Sequence, residues 1–97
     1  MRREEVLEAA RECICGDREQ DYGTPEDNFA TIACLWEAYL AGACIGGDFE
    51  IDIRPRDVAA MMALLKIARI ATGDGKSDNW VDLAGYAACG GEIDTKK

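Results

Sequence analysis

Apolar residues recur at helical spacing in four segments of this sequence, and this repeat restricts the chain to a helical fold. Side chains three and four positions apart share one face of a helix, so the repeat gives each segment an apolar stripe. The segments cover residues 3–15, 25–42, 55–71 and 77–89. We therefore predict an all-α fold, a compact bundle of about four helices.

The clearest helix boundary lies at the start of the second segment. Thr24 has a side chain that caps helix N-termini, and Pro25 suits the first helical position. Glu26 and Asp27 follow, and acids are favoured at the positive end of the helix dipole. Together these residues predict a helix that begins at Pro25.

The sequence predicts a single helical domain over residues 1–97. A glycine-rich connection at 42–54 divides the second and third helices, and within it residues 49–53 alternate apolar and polar as a strand would. A lone strand has nothing to pair with, so we expect a loop whose apolar residues fill the core. Two glycines at 90–91 predict the end of the last helix, and residues 91–97 a frayed tail.

The third segment is predicted to be the central helix of the bundle. Its core stripe comprises Val58, Met61, Met62, Leu65 and Ala68, and neighbouring alanines and leucines widen the apolar arc. A helix that is apolar over so much of its circumference belongs inside a fold.

Composition and charge exclude several classes of function. The 97 residues are 48% hydrophobic and 31% charged, with a net charge of -8. Such an acidic protein is repelled by nucleic-acid phosphates, and no apolar run is long enough to cross a membrane. Five cysteines with no secretory signal indicate reduced thiols in a cytoplasm. Because so short a chain buries a small core, we expect a homo-oligomer.

One candidate binding cluster lies between the first and second helices. Arg18 is a candidate phosphate ligand and Tyr22 a candidate base-stacking residue, because helix N-termini attract anions. Asp21 and Asn28 are the polar candidates of the same stretch. The alternative is a structural loop in which Arg18 pairs with an acid and Tyr22 covers the core.

A second cluster lies on the third and fourth helices. Lys66 and Arg69 share one face of an apolar helix, and two adjacent cations suit a phosphate or carboxylates. Asp82 lies among apolar neighbours and needs a cationic partner, for which Lys66 and Arg69 are the candidates. A structural pairing of these residues is therefore the alternative. Gly85 within the fourth helix predicts the close approach of another helix.

Aromatic and acidic residues complete the candidate sites. Trp36 and Tyr86 are candidates for packing on a base or ribose. Glu5 and Glu8 on the first helix, with Asp78 and Asp82 on the fourth, are the residues that would chelate Mg²⁺ in a metal-dependent hydrolase. The alternative is that Glu5 and Glu8 are solvated surface charges.

Three stretches of the chain together resemble a family of small phage and prophage proteins of unknown function. They are residues 18–29, with DYGTPEDNF, residues 57–69, with LLKIAR, and residues 78–86, DNWVDLAGY. The layout is more distantly similar to nucleotide-modification-associated phage domains and to MazG-like all-helical nucleotide pyrophosphatases. Glu5 and Glu8 match the first acidic motif of those enzymes in form, whereas the spacing of Asp78 and Asp82 departs from the second.

These observations lead to one favoured function and two alternatives. The favoured one is a cytoplasmic phage protein that binds, without cleaving, a phosphorylated nucleotide or cyclic nucleotide signal, and so acts against host defence; it requires no cofactor. The first alternative is a Mg²⁺-dependent MazG-like nucleoside triphosphate pyrophosphatase. The second is a structural or protein-interaction domain in which the charged motif residues form buried ion pairs.

Overall fold

The computed structural model describes residues 1–16, 23–43, 51–73 and 75–95, and within them it contains helices and no strand. The helices are α1 (Arg3–Cys15), α2 (Pro25–Ala43), α3 (Pro55–Thr72) and α4 (Ser77–Thr95). The prediction of an all-α bundle of about four helices is confirmed. None of the described helices is long and apolar enough to cross a membrane.

Local hydrogen bonds fix where α2 and α3 begin. The Thr24 hydroxyl accepts a hydrogen bond from the backbone N–H of Asp27 at 3.2 Å, as an N-cap does. At the start of α3, the Asp57 carboxylate accepts one from the backbone N–H of Arg54 at 2.9 Å. Both contacts satisfy backbone donors that lack a partner within their helix.

The two last helices form the centre of the fold. α4 packs most extensively against α3 and also contacts α1, while α2 packs on α3. Phe29 and Ala33 from α2 meet Val58 and Ala59 from α3 in the buried core. Partly buried apolar side chains from α2, α4 and the connection before α3 surround this cluster, among them Trp36, Tyr86, Ile93 and Ile53.

The predicted end of α4 at the two glycines is wrong, and so is the frayed tail as far as Thr95. The helix continues through Gly90 and Gly91, because the residues beyond them are held by α3. Ile93 packs against the core, and the Arg56 guanidinium donates a hydrogen bond to Asp94 at 2.8 Å.

Glycine at position 90 serves helix packing. A Cβ atom there would lie 2.9 Å from the Cβ of Ala59, closer than two carbon atoms can approach without displacement. Gly85 acts in a similar way on the other side of α4, since a Cβ atom would lie 3.3 Å from Cγ2 of Ile14. The prediction that another helix approaches closely at Gly85 is confirmed.

The core stripe predicted for α3 is correct in part. Val58 and Met62 point inward, but Met61 and Leu65 are 43% and 42% exposed, and Ala68 is exposed as well. α4 docks through Ala59, which rotates the buried face of α3 away from the predicted stripe. The helix therefore carries a second apolar face on the outside of the chain.

The connection before α3 is a loop over residues 51–54. Ile53 packs against the core, as expected for a loop that contributes an apolar side chain. Phe49 and Glu50, the first residues of the alternating stretch, lie outside the described residues.

Replacing Gly90 and Gly91 separately by alanine should change stability in opposite directions. Gly91→Ala places its methyl group in open space, so the higher helix propensity of alanine should stabilise the fold by about 0.5–1 kcal/mol. Gly90→Ala forces α3 and α4 apart and should destabilise by about 1–3 kcal/mol. Urea unfolding followed by circular dichroism measures both; equal effects would contradict the proposed contact.

Candidate ligand pocket

A pocket of about 390 Å³ opens where α1, α2 and α4 meet. This volume falls within the range of small-molecule sites in proteins. Its described lining comes from the end of α1, the start of α2, one residue of α3 and one face of α4: Cys13, Ile14, Gly23, Pro25, Asn28, Phe29, Thr31, Ile32, Met62, Val81, Asp82, Gly85, Tyr86 and Cys89. The site is thus an apolar cleft with a few polar groups at one side.

One face of α4 supplies much of the lining. Asp82, Gly85, Tyr86 and Cys89 follow one another at intervals of three and one, so they point in the same direction. The absence of a side chain at Gly85 brings α1 close to this face and forms one side of the pocket.

Two aromatic rings lie at the junction of the pocket and the core. The ring centroids of Phe29 and Tyr86 are 6.3 Å apart and their planes are inclined by 36°, within the range of favourable aromatic pairs. Both residues line the pocket. They join α2 to α4 and offer a flat apolar surface to a ligand.

The ion pair between Lys66 and Asp82 is the central electrostatic feature of the site. Lys66 Nζ lies 2.9 Å from Asp82 Oδ2, which confirms the predicted partner for Asp82. The lysine side chain is only 10% exposed, whereas the aspartate side chain is 40% exposed and lines the pocket. The buried cation therefore holds a carboxylate at the surface of the pocket.

The charge of the described lining favours some ligand groups over others. Asp82 is its one charged residue, and the positive charge of Lys66 compensates it from outside the lining. A carboxylate held in this way accepts hydrogen bonds from N–H donors and repels phosphate oxygens. The lining described here suits the uncharged part of a ligand that carries amino groups.

The structure brings three of the predicted ligand-binding residues together. Asn28, Asp82 and Tyr86 all line the pocket, and the Asn28 amide donates a hydrogen bond to the carbonyl of Gly23 at 3.4 Å. Trp36 packs against the core instead, and Arg69 is exposed on α3. Arg18, Asp21 and Tyr22 lie outside the described residues.

The four acids proposed as metal ligands are not gathered into one site. Among the described residues, no three aspartate, glutamate or cysteine side chains are placed to hold a metal ion. Glu5 pairs with Arg2 at 3.2 Å, and Glu8 pairs with Arg11 at 2.9 Å on the exposed surface of α1. Their arrangement corresponds to the solvated-charge alternative.

Sequence reasoning missed the contribution of α1 and most of that of α2. Cys13, Ile14, Thr31 and Cys89 were not among the predicted site residues, although all four line the pocket. The spacing of Cys89 behind Asp82 and Tyr86 was a usable signal, because it continues their helix face. No comparable signal marks Cys13, whose position depends on how α1 docks on α4.

Comparison with known proteins places this chain in a family. Residues 5–94 match the profile described as "Domain of unknown function (DUF6378)". The chain belongs to the DUF6378 family. This agrees with the predicted resemblance to a family of unknown function.

Two phage proteins are similar to this DUF6378 chain over most of its length. The "Gene 55 protein" of Mycobacterium phage L5 is 45% identical over 82 residues, which cover 84% of this chain and 47% of that protein. The "Gene 55 protein" of Mycobacterium phage D29 is 41% identical over 86 residues, covering 89% and 51%. The chain thus spans about half the length of these relatives.

No solved structure is significantly similar to the DUF6378 chain. The relatives support a phage-type protein, and the likeness to MazG-like pyrophosphatases is not shown by these matches.

Replacing Arg11 should change the titration of Glu8. The Arg11 guanidinium donates hydrogen bonds to both carboxylate oxygens of Glu8, which lowers the pKa of Glu8 below its ordinary value of 4.5. Because the pKa is lowered in the folded state, the pair stabilises α1 above the ordinary pKa and loses its effect as the pH falls through the lowered one. Arg11→Gln should raise the pKa of Glu8 towards 4.5, as measured by carboxyl NMR.

The same titration tests the metal alternative. Carboxyl signals of Glu5, Glu8 and Asp78 that stay unchanged on addition of Mg²⁺ are expected. Joint movement of these signals at a saturating metal concentration would show that the acids assemble after all.

Removing either partner of the Lys66–Asp82 pair should have unequal effects on stability. Asp82→Asn leaves a buried ammonium without its counter-ion and should cost about 1–3 kcal/mol, since Lys66 is nearly inaccessible to water. Lys66→Met leaves a carboxylate that water can reach, so it should cost less. The double variant should lose less than the sum of the two changes in urea unfolding; strict additivity would show that the pair contributes no coupling.

Proposed function

We propose that this chain binds a phosphorylated nucleotide, with the base in the pocket between α1, α2 and α4, and holds the ligand without cleaving it. In a phage-infected cell, such a protein would withdraw a nucleotide signal from host defence in the cytoplasm. The observation that carries the proposal is the lining itself. It combines aromatic and aliphatic surface with one amide and one oriented carboxylate.

These polar groups match the edge of a nucleobase. The Asp82 carboxylate accepts hydrogen bonds and donates none, so it favours a base that presents an exocyclic amine or a ring N–H. Asn28 both donates and accepts, and amides of this type pair with adenine in other proteins. Phe29 and Tyr86 supply the apolar surface against which the base packs.

The phosphate groups of the ligand are proposed to point away from Asp82. Lys66, a sequence-based phosphate candidate, is nearly buried and already paired with that carboxylate. Gly23 lines the pocket, and the connection that precedes it in the sequence contains Arg18. We therefore assign phosphate binding to Arg18, which carries a guanidinium suited to two phosphate oxygens.

Binding is favoured over hydrolysis by the placement of the acids. Glu5 and Glu8 are paired with arginines on the surface of α1, and Asp82 is paired with Lys66. Carboxylates engaged in this way are not assembled for metal-assisted attack on a phosphate chain.

Nucleotide pairs that differ in one group should separate the two halves of the proposed site. AMP should bind at least about tenfold more tightly than IMP, because the carbonyl oxygen of hypoxanthine meets the Asp82 carboxylate where adenine offers an amine. AMP should also bind more tightly than adenosine if Arg18 contacts the phosphate. Isothermal titration calorimetry measures both ratios, and thermal melting extends the panel to cyclic dinucleotides, where saturation at a hundred times Kd stabilises by about 2.7 kcal/mol.

A pair of threonine variants provides the matched control. Thr31 and Thr95 each donate a hydroxyl hydrogen bond to the carbonyl four residues earlier, and both are exposed, but only Thr31 lines the pocket. Thr31→Phe should obstruct the pocket and abolish binding, whereas Thr95→Phe should leave it intact. Equal affinities in the two variants would place the ligand elsewhere. Chromatography of the recovered nucleotide distinguishes an intact ligand from a cleaved product.

A further inference from the structure

α3 carries a second apolar face that nothing in the chain's described part covers. Its inward face meets α2 and α4 through Val58, Ala59 and Met62. On the opposite side, four large side chains are exposed to solvent: Met61 43%, Leu64 63%, Leu65 42% and Ile67 49%. A helix that is apolar around most of its circumference is characteristic of a buried position, yet α3 is covered on one side only.

The exposed residues follow the spacing of a helix–helix seam. Met61, Leu64, Ala68 and Ala71 are separated by three, four and three positions, which is the repeat that places side chains along one line facing another helix. All four are exposed. We call these four residues the α3 seam, which Leu65 and Ile67 flank.

The seam is complementary in shape to a second copy of itself running in the opposite direction. Its N-terminal half holds the larger residues Met61 and Leu64, and its C-terminal half holds Ala68 and Ala71. An antiparallel arrangement centred between Leu64 and Leu65 sets Met61 of one copy against Ala68 of the other. Large residues then face small ones, whereas a parallel arrangement would set large against large and leave gaps between alanines.

The charges around the seam favour the same occupant. The chain has a net charge of -8, so two copies repel each other over most of their surface, while the seam contains no charged residue. Asp57 lies one helical turn before Met61, and Arg69 lies beside Ala68. The antiparallel arrangement brings the acidic end of one helix towards the basic residue of the other and opposes the two helix dipoles.

We propose that two copies of this chain associate through the α3 seam as an antiparallel pair of helices related by a two-fold axis. The surface used is separate from the pocket, so the dimer offers two ligand sites without requiring that the nucleotide proposal be correct. It also gives the sequence-based expectation of a homo-oligomer a defined interface.

Sedimentation velocity of the whole chain tests the association. The wild type should sediment with twice the 10.6 kDa mass of one chain at high concentration. Leu64→Glu would bury a charge in the seam and should raise the dimer dissociation constant at least about a hundredfold. Leu7→Glu on α1 and Leu35→Glu on α2 are matched controls, because those leucines are each 64% exposed, close to the 63% of Leu64.

The controls should remain dimeric, and circular dichroism should show unchanged helix content in all variants. Ala68→Glu repeats the test at a small exposed position if Leu64→Glu is poorly folded. A wild type that stays monomeric over the whole concentration range, or a dimer that survives both seam variants, would overturn the proposal. Loss of the dimer in Leu35→Glu alone would assign the interface to α2 and would equally overturn it.

Photo-crosslinking tests the direction of the helices. A benzophenone amino acid in place of Met61 should form its crosslink to the region of Ala68 in the second copy, identified by mass spectrometry of the crosslinked peptides. A crosslink to position 61 of the second copy would indicate a parallel arrangement and contradict the two-fold antiparallel pairing.

Discussion

The contact between α3 and α4 is the interaction on which the rest of the structure depends. It is closest where Gly90 passes Ala59, a position at which any side chain would force the helices apart. Val58, next to this contact, is fully buried. Because α1 packs on α4 and α2 packs on α3, the relative position of the two central helices sets the positions of the two outer ones and the width of the pocket between them.

Two ion pairs cross the same interface at different depths. Arg56 and Asp94 meet near the start of α3 at a half-exposed site, where water and salt weaken the attraction. Lys66 and Asp82 meet where the cation is nearly inaccessible to solvent, so the geometry of this pair is the more strongly constrained. A carboxylate fixed by a buried lysine keeps its orientation towards the pocket, and a binding site benefits from groups that are positioned before the ligand arrives.

The parts of the fold that follow from local chemistry could be predicted from the sequence. The start of α2 depends on Thr24 and Pro25 alone, and the partner of Asp82 follows from the cost of leaving a carboxylate among apolar residues. Gly90 shows the limit of such reasoning. Its weak helix propensity is a local property, but the reason that α4 continues past it is a tertiary contact with Ala59, which no local pattern reveals.

The candidate site shows the same division. The polar residues of α4 and of the start of α2 were recognisable because unusual groups lay on one helix face. The contribution of Cys13 depends on the docking of α1, and the placement of Trp36 in the core rather than in the pocket depends on the docking of α2 on α3. Periodicity showed that α3 was apolar on more than one side, but it could not decide which side faces the chain's own core.

The small core and the second face of α3 are consequences of the same shortage of chain. A domain of 97 residues has little apolar surface to bury, and a pocket of about 390 Å³ removes contacts that would otherwise stabilise the junction of α1, α2 and α4. In the proposed dimer, the α3 seam adds burial on the side of α3 opposite the core. Stability gained at the seam would then compensate for the open pocket, because α3 and α4 transmit it to the helices that line the site. On this view, the interface and the pocket are separate in space but linked through the stability of one helix pair.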